Sequence, residues 1–420
     1  MTIRAYKLRL YPTRTQERAL ARWFGHSRWV WNWALAARRK AYARRGATLT
    51  AVDLGRLLTR IKRSRTRGWL AEVPSSCLAQ KLRDLDAAYA NAFAGRARLP
   101  RFKRRRSAQR VRVTFDQRHA GKARTWLAGR MVLPGVGQVK LRGRALPASM
   151  PKLITVSRDP AGRYWVSFAV EERLGARPSP QRQSVGIDLG VEHLATLSTG
   201  QKVPNPRHLG AQIARLKRLQ QRAARQCKGS NRSRRTQTRV ARLHARIADG
   251  RREHLHRLSH RLINEHQVIV LEGLNVEGMA RSARGTQEKP GRNVQAKAGL
   301  NRSLKDAAFA ELRRQVQYKG EWRRRNVVFV SRWFPSSKLC SACAHLHKGL
   351  RLADRHWTCP ACGAGHDRDV NAAKNIEAEG LRILNPHPED TGEVRAPGGE
   401  GESPQGTGPA AVSARIDRAA

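Results

Sequence analysis

After one short alternating segment, apolar positions in the first hundred residues recur at helical spacing. Residues 3–11 alternate and stop at Pro12, which predicts a strand. Thr13-x-x-Gln16 has the form of a capping box, so a helix is expected from there to about Arg45, ended by Gly46. Leu54, Leu57, Leu58 and Ile61 predict a second helix. Leu78, Leu82, Leu85, Tyr89 and Phe93 predict a third, from near Ser75 to Gly95. Residues 110–175 change to alternation: Val111, Val113 and Phe115, then Ile154 and Val156, then Trp165, Phe168 and Val170. Asp159-Pro160-Ala161-Gly162 makes a turn between the last two runs. A small barrel or open sheet is expected there, joined by the first strand, with the helices inserted between.

The second half mixes both periods. Residues 184–191 and 194–198 read as strand, Gly turn, strand. Residues 207–263 predict an antiparallel helical hairpin with a cationic tip at 228–235. Residues 267–274 predict a buried strand with Glu272 at its C-terminal end, where ligands of parallel strands gather. Residues 281–299 lack periodicity and are expected as a mobile loop. Ser303-x-x-Asp306 is expected to cap a helix to about Arg325, followed by a strand at 326–330.

The expected organisation is α+β and multidomain. Residues 1–12 give the first strand of a wedge-like β region, 13–95 a helical domain, 96–177 the rest of the β region and 178–183 a linker. A core with its hairpin follows at 184–334, then a metal ribbon at 335–365, a last core segment at 366–384 and a disordered Pro-, Gly- and Glu-rich tail at 385–420.

Charge narrows the partner. The chain has 84 Lys and Arg against 31 Asp and Glu, a formal net charge of +53. A polyanion is required, and the basic residues are spread along the chain, which favours a nucleic-acid track over one polybasic membrane anchor. No apolar run is long enough to span a bilayer. Arg101, Lys103, Arg104, Arg105 and Arg106 surround Phe102 and form either a solvated face or a phosphate contact. Trp23, Phe24, Trp29, Trp31 and Trp33 on the first helix form an aromatic core or a base-stacking platform.

Cysteines and carboxylates carry the chemistry. Cys340/Cys343 and Cys359/Cys362 are two C-x-x-C knuckles separated by fifteen residues. They predict one structural Zn2+ rather than a disulfide, with His345, His347, His356 and His366 as possible substitutes. Zinc thiolates without a leader imply the cytoplasm. Asp188 lies in an apolar strand, Glu272 at a strand end and Asp369 at a helix start. In a β-β-α-β-α order this is the layout of an RNase H-like nuclease core. Converged carboxylates suit two Mg2+ ions acting on a phosphodiester. Asp188 would bridge the ions, and Glu272 and Asp369 would complete one each. Asp369 could instead be an N-cap or pair with Arg368 or Lys374; Asp367 is the better candidate for the cap.

Several ordered motifs resemble the TnpB (OrfB) family of insertion sequences: YKLRLYPTRTQ at 6–16, FAGRARLPRFK at 93–103, GIDLG at 186–190, VLEGL at 270–274, RWFPSSKLCSAC at 332–343, CPAC at 359–362 and DRDVNAAKNI at 367–376. The resemblance runs over roughly 1–384. It departs at Ala344, where the family often has Gly, and at Ser331. It implies a RuvC nuclease core with an inserted zinc ribbon, related to type V CRISPR effectors. A guide RNA from the transposon end, double-stranded target DNA cut beside a short motif, no membrane, a monomeric state and a prokaryotic nucleoid location are also implied. Rival readings are a guided DNA-binding repressor without cleavage, an accessory transposition protein, a tyrosine transposase and a CRISPR effector.

Overall fold

The computed structural model describes residues 2–105, 109–114, 126–127, 129–142, 151–172, 179–351 and 353–385. Phe115, Arg106 and the predicted tail from 386 onward lie outside the described residues.

Strand β1 (Thr2–Tyr11) opens the chain, and helix α1 (Arg14–Arg45) follows. The Thr13 hydroxyl accepts from the Gln16 amide, and the Gln16 side chain accepts from the Thr13 amide, as the capping box requires. Gly46 closes α1 at φ 61°, a left-handed conformation that glycine adopts without strain. Helices α2 (Ala51–Arg63) and α3 (Ser75–Phe93) complete the insert.

The chain returns through β2 (Gln109–Thr114), β3 (Trp126–Leu127), β4 (Arg130–Leu133), β5 (Gly137–Arg142), β6 (Leu153–Arg158) and β7 (Tyr164–Glu172). These pair with β1 as an open antiparallel sheet in the order β2-β6-β7-β1-β5-β4-β3. β1 sits at its centre, between β7 and β5, so the helices between β1 and β2 are an insertion. One core unites sheet and helices, from Leu8 and Leu10 through Trp23, Trp31 and Leu82 to Val111, Ile154 and Phe168. Trp23 and Trp31 are buried in it, while Trp29 and Trp33 pack against its edge. The aromatic helix is therefore chiefly core.

The second sheet has the order β10-β9-β8-β11-β12. It comprises β8 (Arg182–Asp188), β9 (His193–Leu197), β10 (Lys202–Pro204), β11 (His266–Glu272) and β12 (Asn326–Val330). β8, β11 and β12 run parallel, and β9 and β10 are antiparallel. β10 lies where no strand was expected, and β8 begins inside the expected linker.

Helices α4 (Ile213–Ala224) and α5 (Asn231–Glu265) form the predicted hairpin. Its tip is shorter than expected, because Ser230 caps α5 and draws 231–235 into the helix.

The segment after β11 departs most from expectation. A short α6 (Val276–Met279) is followed by α7 (Val294–Ala307) and α8 (Phe309–Arg323). Ser303 therefore lies inside α7, and the helix break falls at Ala308, which has φ 56°. Asp306 is buried and caps nothing in its own helix. Its carboxylate takes the Leu209 amide at 2.8 Å and the Arg251 guanidinium at 2.7 Å, tying α7 to the hairpin.

The last helix, α9 (Arg368–Leu384), covers the sheet face opposite α5 and α8. Small residues permit the approach. A Cβ on Gly186 would stand 2.0 Å from the Ala373 carbonyl oxygen, and one on Gly380 would stand 2.2 Å from a Val270 methyl. Gly186→Ala should therefore push α9 off β8 and cost about 3 kcal/mol. Urea unfolding monitored by tryptophan fluorescence checks this. An unchanged midpoint would show that the helix can shift freely.

Candidate active site and zinc ribbon

β8 and β11 place two carboxylates side by side. Ile187 pairs with Leu271 in the parallel register, so Asp188 and Glu272 are next neighbours at the strands' C-terminal ends. Strand alternation fixes which way they face. Asp188 shares a face with Gly186, and Glu272 shares one with Val270, and both of those residues touch α9. The third carboxylate, Asp369, stands in the first turn of α9. Three separate elements thus bring Asp188, Glu272 and Asp369 to one edge of the sheet.

Electrostatics register the approach. Burial first, then the charges of Asp369 and Glu272, push the Asp188 carboxyl up to about 7, against a smaller opposing effect of Arg368. Burial also raises Glu272. The carboxyls remain apart: among the described residues, only the four ribbon cysteines form a group of three or more metal-ligand atoms all within 4.8 Å.

Asp367 is the N-cap. Its Oδ1 accepts from the Asp369 and Val370 amides at 3.1 and 3.0 Å, and its Oδ2 holds Lys202 of β10 at 2.7 Å. Asp369 is thus free of the capping role. Arg355 of the ribbon lies 3.7 Å from the Asp369 carboxylate and 3.3 Å from that of Glu192. No spacing in the sequence pointed to Arg355, because only folding brings the ribbon over the carboxylates.

The ribbon holds Cys340, Cys343, Cys359 and Cys362 with all four sulfurs mutually within 4.8 Å. The Cys340–Cys362 and Cys343–Cys359 pairs are 3.7 Å apart. A sulfur tetrahedron with bonds of about 2.3 Å to its centre has edges of about 3.8 Å, so the donors fit one zinc ion. Each knuckle closes alike: Cys340 N donates to the His345 carbonyl and Cys359 N to the Ala364 carbonyl, both at 2.9 Å. His366 lies against the cluster, with Nε2 3.1 Å from the Cys340 sulfur. A two-stranded ladder, β13 (His356–Thr358) with β14 (Gly365–Asp367), leads into α9.

Equivalent knuckle positions carry Gly363 at φ 72° and Ala344 at φ 60°. The departure at Ala344 thus puts a methyl in the left-handed region. Ala344→Gly should relieve about 1 kcal/mol of strain, read as zinc loss to a chelator slowed a few-fold. Unchanged release would show that the loop already accommodates the methyl.

Two buried asparagines fasten the ribbon to α9. Asn371 accepts from the Ser341 amide at 2.9 Å and donates to the Leu339 carbonyl at 2.7 Å. Asn375 donates to the Ser336 and Leu339 carbonyls at 2.7 and 2.6 Å. The first knuckle therefore holds the helix that carries Asp369.

The basic cluster divides. Residues 100–103 lie along α1: Trp31 Nε1 donates to the Arg101 carbonyl at 3.0 Å, and the Asn32 side chain holds the Lys103 amide and carbonyl. The Lys103 ammonium stands 3.4 Å from the centroid of the Trp31 ring, and burial lowers it to about 8. Lys103 is thus half-buried against Trp31, whereas Arg101, Arg104 and Arg105 are exposed.

Among the described residues, no helix is long and apolar enough to cross a membrane. The family model of OrfB from IS605, described as "Probable transposase", matches residues 166–283. A Cas12f1-like TNB domain matches 309–376, which spans the ribbon and Asp369. An OrfB helix-turn-helix domain matches 1–47, whose described residues fold as β1 and the single helix α1. A Streptomyces pristinaespiralis protein named "Putative RNA-guided DNA endonuclease" is 41% identical over 385 residues, 90% of this chain and 89% of its own length. An Escherichia coli K12 protein with the same designation, InsQ, is 35% identical, over 91% of this chain and 93% of its own. The solved complex of Cas12f1 with sgRNA and target DNA is similar in fold, with a TM-score of 0.50 at 12% identity, over 89% of this chain and 98% of the other. On identity carried along nearly the whole length of such relatives, the chain belongs to the TnpB (OrfB) family.

Proposed function

We propose that the protein is an RNA-guided DNA endonuclease whose second sheet is an RNase H-like (RuvC) core. The approach of Asp188, Glu272 and Asp369 at one sheet edge carries this reading. The strand order β10-β9-β8-β11-β12 and the designation of its relatives support it. Asp188, Glu272 and Asp369 would hold two Mg2+ ions, and the four cysteines one Zn2+. The oxygen-only donors at the sheet edge suit magnesium, and the sulfur tetrahedron suits zinc. The magnesium ions would supply Lewis-acid charge and an activated water.

The chain's own residues do the rest. Asp188, raised by burial and by its neighbours, favours any cation that relieves their repulsion. Asp367 and Lys202 fix the start of α9 and hence Asp369. Arg355, 3.7 Å from the Asp369 carboxylate, would stabilise the charge that develops on a cut phosphate. Exposed Arg101, Arg104 and Arg105, on the helical and β half, are assigned to the nucleic-acid backbone. The partners proposed are a transposon-end guide RNA and double-stranded DNA read beside a short motif. The monomer and the cytoplasmic nucleoid are the proposed state and location.

The test is plasmid cleavage by the protein co-expressed with RNA from the transposon end. Cutting should require the guide, a matching target and magnesium, and stop with EDTA. Guided binding without cutting would instead make the protein a repressor.

A further inference from the structure

Beside Glu272 lies a cavity of about 350 Å³, within the size range of ligand sites. Its apolar lining includes Leu189, Leu274 and Val276, each half-buried, and Phe309, which is buried. One face of α8 also lines it, carrying Phe309, Arg313 and Gln317 at successive turns. The Arg313 guanidinium lies over Phe329, 4.0 Å from the ring centroid, so its plane is fixed. Adjacent Arg314 is neutralised by two 2.8 Å bonds to Glu311, whereas Arg313 has no ion pair among the described residues.

A half-buried, ring-stacked and unneutralised guanidinium on the cavity lining suits an anion. The cavity also contains Glu272 and Glu277, which would repel a small free anion. The ligand that fits is anionic at one end and flat and uncharged at the other. A nucleotide has that polarity: phosphate on Arg313, base against the leucine–valine wall, base edge towards Gln317. Glu272 forms the boundary with the carboxylate site, so this nucleotide would adjoin the reacting phosphate.

We propose that this cavity seats the nucleotide next to the scissile phosphate of the DNA strand being cut, with Arg313 as a positioning residue that sets where the cut falls. The proposal rests on the reading of Asp188, Glu272 and Asp369 as the cleavage centre.

The test uses the guide-loaded full chain on oligonucleotide targets carrying one abasic nucleotide on either side of each mapped cut. Wild-type cleavage should slow about tenfold for one flank only, the loss of one base's apolar contact. An abasic nucleotide several positions away should have no effect. Arg313→Gln should slow cutting about 10- to 100-fold and scatter the cut position, with target affinity unchanged. Arg313→Lys should restore part of the rate. Indifference of the wild type to an abasic nucleotide on either flank would overturn the proposal, and that arm needs no variant to fold. So would an Arg313→Gln protein that cuts at the wild-type rate and position. If Asp188→Ala also cut like wild type, the cleavage centre itself would be misassigned, which is a different failure.

Discussion

Asp188→Asn is expected to lower guided cleavage about a thousandfold or more while leaving guided DNA binding intact. The substitution keeps the size of the side chain and removes its charge, so the packing of Gly186 against α9 should not change. Asp188 is the carboxylate that feels both of the others, which makes it the best placed to bridge two cations. The same feature separates a site role from a structural one. The fold raises the Asp188 carboxyl to about 7 from an ordinary 3.8, so the folded protein holds that proton more tightly than the unfolded chain. The ionised group therefore destabilises the metal-free protein progressively as pH rises from about 4 to about 7. At pH 8 without divalent ions, Asp188→Asn should melt no lower than wild type, and at pH 5 its advantage should shrink. Circular-dichroism melts beside cleavage rates check both halves. A variant that lost binding and stability together would mark Asp188 as structural.

Cys359→Ser should take bound zinc from one ion per chain to near none and reduce cleavage about a hundredfold. Structural zinc contributes on the order of 10 kcal/mol to small ribbons, and a hydroxyl does not replace a thiolate donor. The effect on cleavage follows from the connection. The first knuckle is held to α9 by Asn371 and Asn375, and Arg355 reaches Asp369 from the ribbon. Loosening the ribbon should displace Asp369, and a displacement of about 1 Å can cost about a hundredfold. Metal analysis with cleavage assays decides this. Full activity in a zinc-free variant would show that α9 holds Asp369 without the ribbon.

Much of this was legible in the sequence where local signals and tertiary packing agree. Thr13 and Gln16 marked the start of α1 and Gly46 its end because each acts on its own neighbours. Ala372, Ala373 and Ile376 are buried on α9, and its close packing depends on Gly186 of β8 facing Ala373 and Gly380 of α9 facing Val270. The missed features depend on distant partners. Residues 294–307 carry no strong apolar stripe and begin at Asn293 without a side-chain cap, so nothing local announced α7. The Ser303-x-x-Asp306 pattern misled because Asp306 serves the Leu209 amide and Arg251. The position of Lys103 over Trp31 was likewise invisible in the sequence, because the two residues are far apart along the chain.

The proposed function stands on three distant carboxylates forming one divalent-cation site, and metal binding tests that more directly than cleavage does. Mn2+ titrated into the full-length, zinc-replete protein and followed by electron paramagnetic resonance would report it without a target. The wild type should bind Mn2+, and binding should weaken at least about tenfold in Asp188→Asn and in Asp369→Asn. Binding unchanged by either substitution would contradict the proposed site.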